Sequence, residues 1–102
     1  MTDDQMALVA KALAHPARIR IVHLLAAQSE CRGHEVFSEL PLAQSTISEH
    51  LRVLKEAGLV RAQPIGTAMA YCLIASVLDE FNKAVGEIAA CAAECVPGQG
   101  AC

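Results

Sequence analysis

Tryptophan is missing from this chain, and ring side chains are scarce altogether: one tyrosine and two phenylalanines stand among 102 residues. A sandwich core built on large aromatics is therefore excluded. Ala, Leu, Val and Ile carry most of the 54% hydrophobic content, which suits helices packed closely through small side chains. Long apolar runs are missing too, since no stretch reaches the ~18 residues of a membrane span. The opening Met1-Thr2-Asp3-Asp4 is acidic, not a basic segment leading an apolar one. These absences predict a cytoplasmic protein with no membrane partner. An even cysteine count is also lacking: five thiols in a compartment expected to be reducing argue against a disulfide framework and leave metal, metalloid or redox chemistry open.

Strong basic charge is absent as well, the net charge being -3. Divided along the chain, however, the balance is uneven. Residues 1–10 carry Asp3 and Asp4, residues 63–102 carry four acids against Lys83, and residues 11–62 carry seven Lys/Arg against five Glu together with all four histidines. The basic middle leaves room for salt-dependent phosphate contacts. A domain of this size hides only ~60–70% of its unfolded surface, so stability is expected to be shared with a second subunit.

That middle holds the most informative stretch, Ala-Gln-Ser-Thr-Ile-Ser-Glu-His-Leu-Arg-Val-Leu-Lys-Glu-Ala-Gly at residues 43–58. Ile47, Leu51 and Leu54 fall at i, i+4 and i+7 and form one apolar stripe, while Gln44, Ser48, Arg52 and Lys55 form a polar one turned away from it. Neutral amide and hydroxyl groups occupy the first turn and cations the last, the order a helix needs if its N-terminus enters the major groove. Taken alone, the polar stripe also fits a solvated helix face. Its surroundings favour DNA.

Upstream, helices are predicted near residues 4–14 and 16–28, the second opened by Pro16 and presenting Ile19, Val22 and Ala26 on one face. Gln28 to Gly33 reads as a connector, and a short third helix at about 33–40 followed by Pro41-Leu42 completes a helix-turn-helix with the fourth. Gly58 is the expected left-handed cap. Leu59 to Pro64 and Ala68 to Leu73 then read as strands around Ile65-Gly66-Thr67, a hairpin in the position of a wing. A long apolar helix at about 75–95 ends at Val96-Pro97-Gly98. The predicted fold is mainly α with a small β-hairpin, a winged helix-turn-helix of order ααααββα over residues 1–96, with a flexible tail at 97–102 carrying an inducer ligand.

Leu-Pro-Leu-Ala-Gln-Ser-Thr-Ile-Ser-Glu-His-Leu-Arg-Val-Leu-Lys-Glu-Ala-Gly-Leu-Val, in this order of elements, resembles the ArsR/SmtB family of winged-helix metalloregulatory repressors. The likeness runs from Ala12-Leu13-Ala14-His15-Pro16-Ala17-Arg18 through Tyr71. It implies a homodimer formed through the first and last helices that binds operator DNA and lets go when an inducer is captured. Of two inducer sites known in the family, one is absent or reduced to a single thiol and the other is absent. Where relatives place a Cys-x-Cys, this chain reads Cys31-Arg32-Gly33-His34, and Asp79 and Glu80 have no histidine partner on the last helix.

On the reading helix, Gln44, Ser45 and Thr46 are expected at base edges, Gln44 being able to pair bidentately with adenine. Ser48, His50 and Arg52 are expected at phosphates, with Arg61 and the Gly66 turn as outlying backbone contacts. Glu49 departs from this pattern, since a carboxylate near DNA repels phosphate.

Cys91 and Cys95 are spaced i, i+4, and Cys102 follows a Pro-Gly-Gln-Gly segment able to fold back, so three thiolates can converge. Three soft sulfurs suit As(III) or Sb(III), whose lone pair takes the fourth direction, better than zinc, which wants a fourth ligand. The expected function is thus an arsenite- or antimonite-responsive repressor with no organic cofactor. Against it stands a packing alternative: Val77, Phe81, Ala84, Ile88, Cys91 and Cys95 form a heptad-like stripe in which the thiols are small core residues of a dimer seam, and Cys102 a free reactive end. Cys72 reads as buried filler. A second functional reading is a thiol-redox or persulfide sensor joining Cys31 to a last-helix cysteine. An enzyme is disfavoured because Cys91 and Cys95 lie near a helix C-terminus, whose dipole raises thiol pKa.

Overall fold

A computed structural model describes residues 1–28, 31 and 38–94, the last two of these through their backbone only. Helix α1 spans Asp3–Leu13, α2 Pro16–Ala26, α3 Gln44–Glu56 and α4 Ala75–Glu94; strands β1 (Val60–Ile65) and β2 (Ala68–Leu73) lie between α3 and α4. The short helix expected at about 33–40 falls mostly outside the described residues, of which Ser38 and Glu39 are helical. This is a winged helix-turn-helix. The expected tail at 97–102 also lies outside the described residues.

Local chemistry sets the boundaries. Thr2 opens α1 with a reciprocal capping box, its Oγ1 accepting from the Gln5 amide at 3.2 Å while Gln5 Oε1 accepts from the Thr2 amide at 2.8 Å. Pro16 sits in the first turn of α2, and the His15 ring caps it, Nδ1 accepting from the Ala17 amide at 3.0 Å. At the end of α3, Gly58 takes φ 79°, its amide donates to Lys55 and the Leu59 amide donates to Leu54, a Schellman closure that buries Leu54 and Leu59 together. The chain leaves that turn directly into β1.

The hairpin is antiparallel, pairing Val60 with Leu73 through to Ile65 with Ala68, so the loop is the two residues Gly66-Thr67. Gly66 supplies φ 62° at the first loop position, as a type II′ turn requires.

The core gathers Ile21 and Leu25 of α2, Ile47, Leu51 and Leu54 of α3, Leu59 and Val60 at the start of the wing, and Val9 and Ala12 of α1. In α2 this differs from the expected face. Ile21 and Leu25 are buried, whereas Ile19 is 39% exposed and Ala26 faces solvent. Apolar residues occur on nearly every side of this helix, so periodicity alone does not select the face; packing on both α3 and β2 does. No helix among the described residues is long and apolar enough to cross a membrane.

Candidate nucleic-acid interface and thiol sites

Helix α3 divides cleanly. Ile47, Leu51 and Leu54 are buried, while Gln44, Ser45, Thr46, Ser48, Glu49, Arg52 and Lys55 are exposed. Ala43 at its N-cap supplies no side-chain hydrogen bond. First-turn amides of this kind are donors that a phosphate oxygen can satisfy. Arg61, exposed on β1, and the Gly66 turn extend the polar surface outward along the wing.

His50 departs from the expectation that it meets a phosphate. It is 9% exposed, because it lies three residues after Ile47 and four before Leu54 and so shares their buried face. Its ring packs on the His15 ring with centroids 4.5 Å apart. Arg18 approaches from α2: Nη1 donates to His50 Nδ1 at 3.3 Å, Nε to the Ala12 carbonyl at 2.6 Å, and Nη2 to the Lys11 carbonyl at 3.3 Å. A guanidinium only donates, so His50 Nδ1 is the acceptor and carries no proton. Burial, followed by the electrostatic influence of the neighbouring His15 and Arg18, lowers the His50 pKa below 6.5. This clasp joins the end of α1, the start of α2 and the middle of α3.

Arg52 is exposed but engaged. Its Nε donates to Glu49 Oε2 at 2.9 Å, and its two terminal nitrogens reach Glu49 and Glu56. The Arg52 hydrogen bond is the main cause holding the Glu49 carboxyl below its usual range. A phosphate approaching Arg52 must therefore compete with two carboxylates on the same helix face.

Of the thiols, Cys91 is half-buried on α4, whereas Cys95 and Cys102 lie outside the described residues. Among the described residues no group of three His, Cys, Asp or Glu side chains could hold a metal ion. Cys31 and Cys72 are joined as a disulfide with Cα atoms 4.9 Å apart, against the expectation that the thiols form no disulfide framework; Cys72 is buried as expected but bonded, and Cys31 does not make the alternative bridge to the last helix. The reason is packing of α2 on β2, which brings Cys31, five residues past the end of α2, to the second wing strand. Sequence separated these cysteines by 41 positions and offered no local signal for the pairing.

Beyond Cys91, the half-buried residues Val77, Phe81 and Ala84 follow the heptad-like stripe of α4, but Ile88 on the same stripe is 61% exposed and Val85 beside it is also open. Leu8 of α1 adds a further exposed apolar side chain.

Residues 15–62 match the model of the family described as bacterial regulatory protein, arsR family. An uncharacterized HTH-type transcriptional regulator of Mycobacterium tuberculosis is 42% identical over 71 residues, 70% of this chain and 62% of that protein, so the chain spans under two thirds of that relative. A solution structure from Mycobacterium bovis, the homodimeric winged helix-turn-helix DNA-binding domain of a possible ArsR-family transcriptional regulator, superposes with TM-score 0.68 at 32% identity over 88% of this chain and 87% of that one. A crystal structure of a possible transcriptional regulator for arsenical resistance gives TM-score 0.68 at 31% identity over 85% of each chain.

Proposed function

The chain belongs to the ArsR family of bacterial regulatory proteins, and from that premise we infer that it is a homodimeric, operator-binding repressor released by a trivalent metalloid. One observation carries the DNA reading. Helix α3 buries Ile47, Leu51 and Leu54 while presenting Gln44, Ser45, Thr46 and Ser48 to solvent beside a wing that carries Arg61. Short neutral donors and acceptors read base edges, and the flanking cations and amides hold the backbone. His50 has no part in this contact set, and Arg52 contributes only as far as phosphate displaces Glu49 and Glu56. The reading puts the protein in the cytoplasm, with its DNA.

Dimerisation through α1 and α4 is supported by the apolar side chains these helices leave open, Leu8, Val85 and Ile88. Such a seam joins two reading heads and sets their separation, which an operator with paired half-sites requires. It also accounts for a small domain standing alone with part of its last helix uncovered.

As inducer the reading assigns As(III) or Sb(III) to Cys91, Cys95 and Cys102. Support comes from the donor chemistry, three soft sulfurs with no histidine after His50, and from the position of Cys91 on the stripe of α4. The structural relative described as a possible regulator for arsenical resistance points the same way. Release requires that the ion prefer the dimer geometry that cannot bind DNA, by ~1–3 kcal/mol of coupling in typical cases. Fluorescence anisotropy on the promoter fragment tests both parts, with As(III), Sb(III), Zn(II), Cd(II) and a persulfide added in turn. Release by As(III) or Sb(III) is expected. Release by zinc or the persulfide alone would overturn the inducer assignment.

A further inference from the structure

We propose that Cys31 and Cys72 form a reversible dithiol–disulfide site, opened and closed by small-molecule thiols and disulfides, that couples cellular thiol state to the DNA-reading head. The 4.9 Å Cα separation falls within the range a disulfide spans without backbone movement. The pair also borders a cavity of about 340 Å³, lined by both cysteines with Leu25, Gln28 and Leu73 among their neighbours. A reagent can reach the sulfurs from that cavity while the protein stays folded, which a bond sealed in the core would forbid.

The two thiols are unequal, and this fixes their order of reaction. Cys31 is half-buried and Cys72 only 7% exposed. The Cys31 thiolate attacks one sulfur of a low-molecular-weight disulfide and expels one thiolate, leaving a mixed disulfide. The Cys72 thiolate then attacks Cys31 Sγ, forming the internal bond and expelling the second. Two protein thiols are oxidised and one small disulfide is reduced to two thiols. Excess thiol drives the same steps backward.

The location gives the chemistry a consequence. Gln44, Ser45, Thr46, Ser48, Arg52 and Arg61, the residues assigned to bases and phosphates, all lie between positions 31 and 72. Cys72 also stands opposite Arg61 in the hairpin. Closing the bond therefore ties the strand that backs the wing contact to Cys31, just past the end of α2, and restricts how the wing moves relative to α2, on which α3 packs. This site is separate from Cys91, Cys95 and Cys102, and its effect on operator affinity rests on the DNA-binding reading above.

Trypsin separates the three groups of cysteines, because cleavage after Arg20, Arg32, Arg61 and Lys83 yields peptides 21–32, 62–83 and 84–102. After treatment of the native protein with oxidised glutathione, mass spectrometry is expected to find 21–32 linked to 62–83. Native-state dithiothreitol should separate them without loss of helical circular dichroism. A link from 21–32 to 84–102, or a bond that opens only in denaturant, would overturn the proposal. On the promoter fragment, the oxidised and reduced proteins are expected to differ at least about five-fold in Kd, a difference lost in Cys31→Ser and Cys72→Ala. A smaller difference in a protein that binds when reduced overturns the switch, whereas no binding in either state refutes the DNA reading and leaves the peptide map to decide the thiol pair.

Discussion

Arg18 reaches His50 across 32 positions of sequence, Nη1 lying 3.3 Å from Nδ1, while the same guanidinium holds the Ala12 and Lys11 carbonyls at the end of α1. One cation thereby satisfies helix-terminal acceptors and a buried imidazole together. Replacing it removes the Arg18 donor from the imidazole and the Ala12 carbonyl, while the Lys11 carbonyl keeps the Ala14 amide at 3.2 Å. Arg18→Ala is expected to cost about 2 kcal/mol, in line with hydrogen bonds made by a charged group. Arg18→Lys should recover only part of this, since an ammonium lacks the fork that spans three acceptors. Urea denaturation checks both.

The clasp makes stability depend on pH. His50 accepts from Arg18 only when Nδ1 is unprotonated, and burial with the neighbouring His15 and Arg18 holds its pKa below 6.5. The unfolded chain then binds a proton at higher pH than the native one. Stability from this group is complete above about pH 6.5, and falls as pH drops from there toward the native value. Thermal melts between pH 7.5 and 5 are expected to show that loss, and His50→Gln should flatten it. A wild-type profile that rises on acidification would contradict the assignment.

How much of this could be read from sequence follows the range of the interactions. The apolar stripe Ile47, Leu51, Leu54, the Gly58 cap and the second wing strand Ala68–Leu73 are set by neighbours within a few residues, and they appear where the pattern predicts. The hairpin loop is one residue shorter than expected because Ile65 pairs with Ala68. His50 carries a legible signal, its position between Ile47 and Leu54 on the buried face, which outweighs the polarity of the histidine ring. The contacts of Arg18 with His50 and of Cys31 with Cys72 join distant positions through packing of α2 on α3 and β2. Periodicity holds no information about those.

Glu49 lies on the exposed face of α3 and draws Arg52 away from phosphate. Because both side chains are largely exposed, the pair contributes little to stability and breaking it is cheap. Glu49→Gln removes one repelling charge and releases part of Arg52. Operator binding is expected to tighten, and the slope of log K against log salt to steepen by up to about one phosphate contact. Anisotropy titrations at several salt concentrations measure this. An unchanged slope would show that Arg52 stays with Glu56 or points away from DNA.

Ile88 is the most exposed large apolar residue on α4. If α1 and α4 form the dimer seam, Ile88→Glu places two like charges close together in an apolar interface. Analytical ultracentrifugation should then show monomer where the wild type is a dimer, with operator affinity falling because each head binds alone. Unchanged sedimentation would move the interface elsewhere.

The inducer site makes the most specific demand. Cys91 and Cys95 are spaced i, i+4 in the sequence, and Cys102 is the last of the five cysteines, so a pyramidal ion held by all three needs each of them. Cys91→Ser, Cys95→Ser and Cys102→Ser are each expected to abolish As(III)-triggered release, because a hydroxyl is a poor substitute for a soft thiolate donor. X-ray absorption on the As(III)-loaded protein should show three sulfur neighbours, falling to two with a lighter atom in each variant. If the thiols instead only fill a dimer seam, the substitutions would weaken dimerisation and leave the response to As(III) intact. Sedimentation together with release separates the two roles: loss of response in a protein that remains dimeric marks a ligand, and loss of the dimer with a preserved response marks a packing residue.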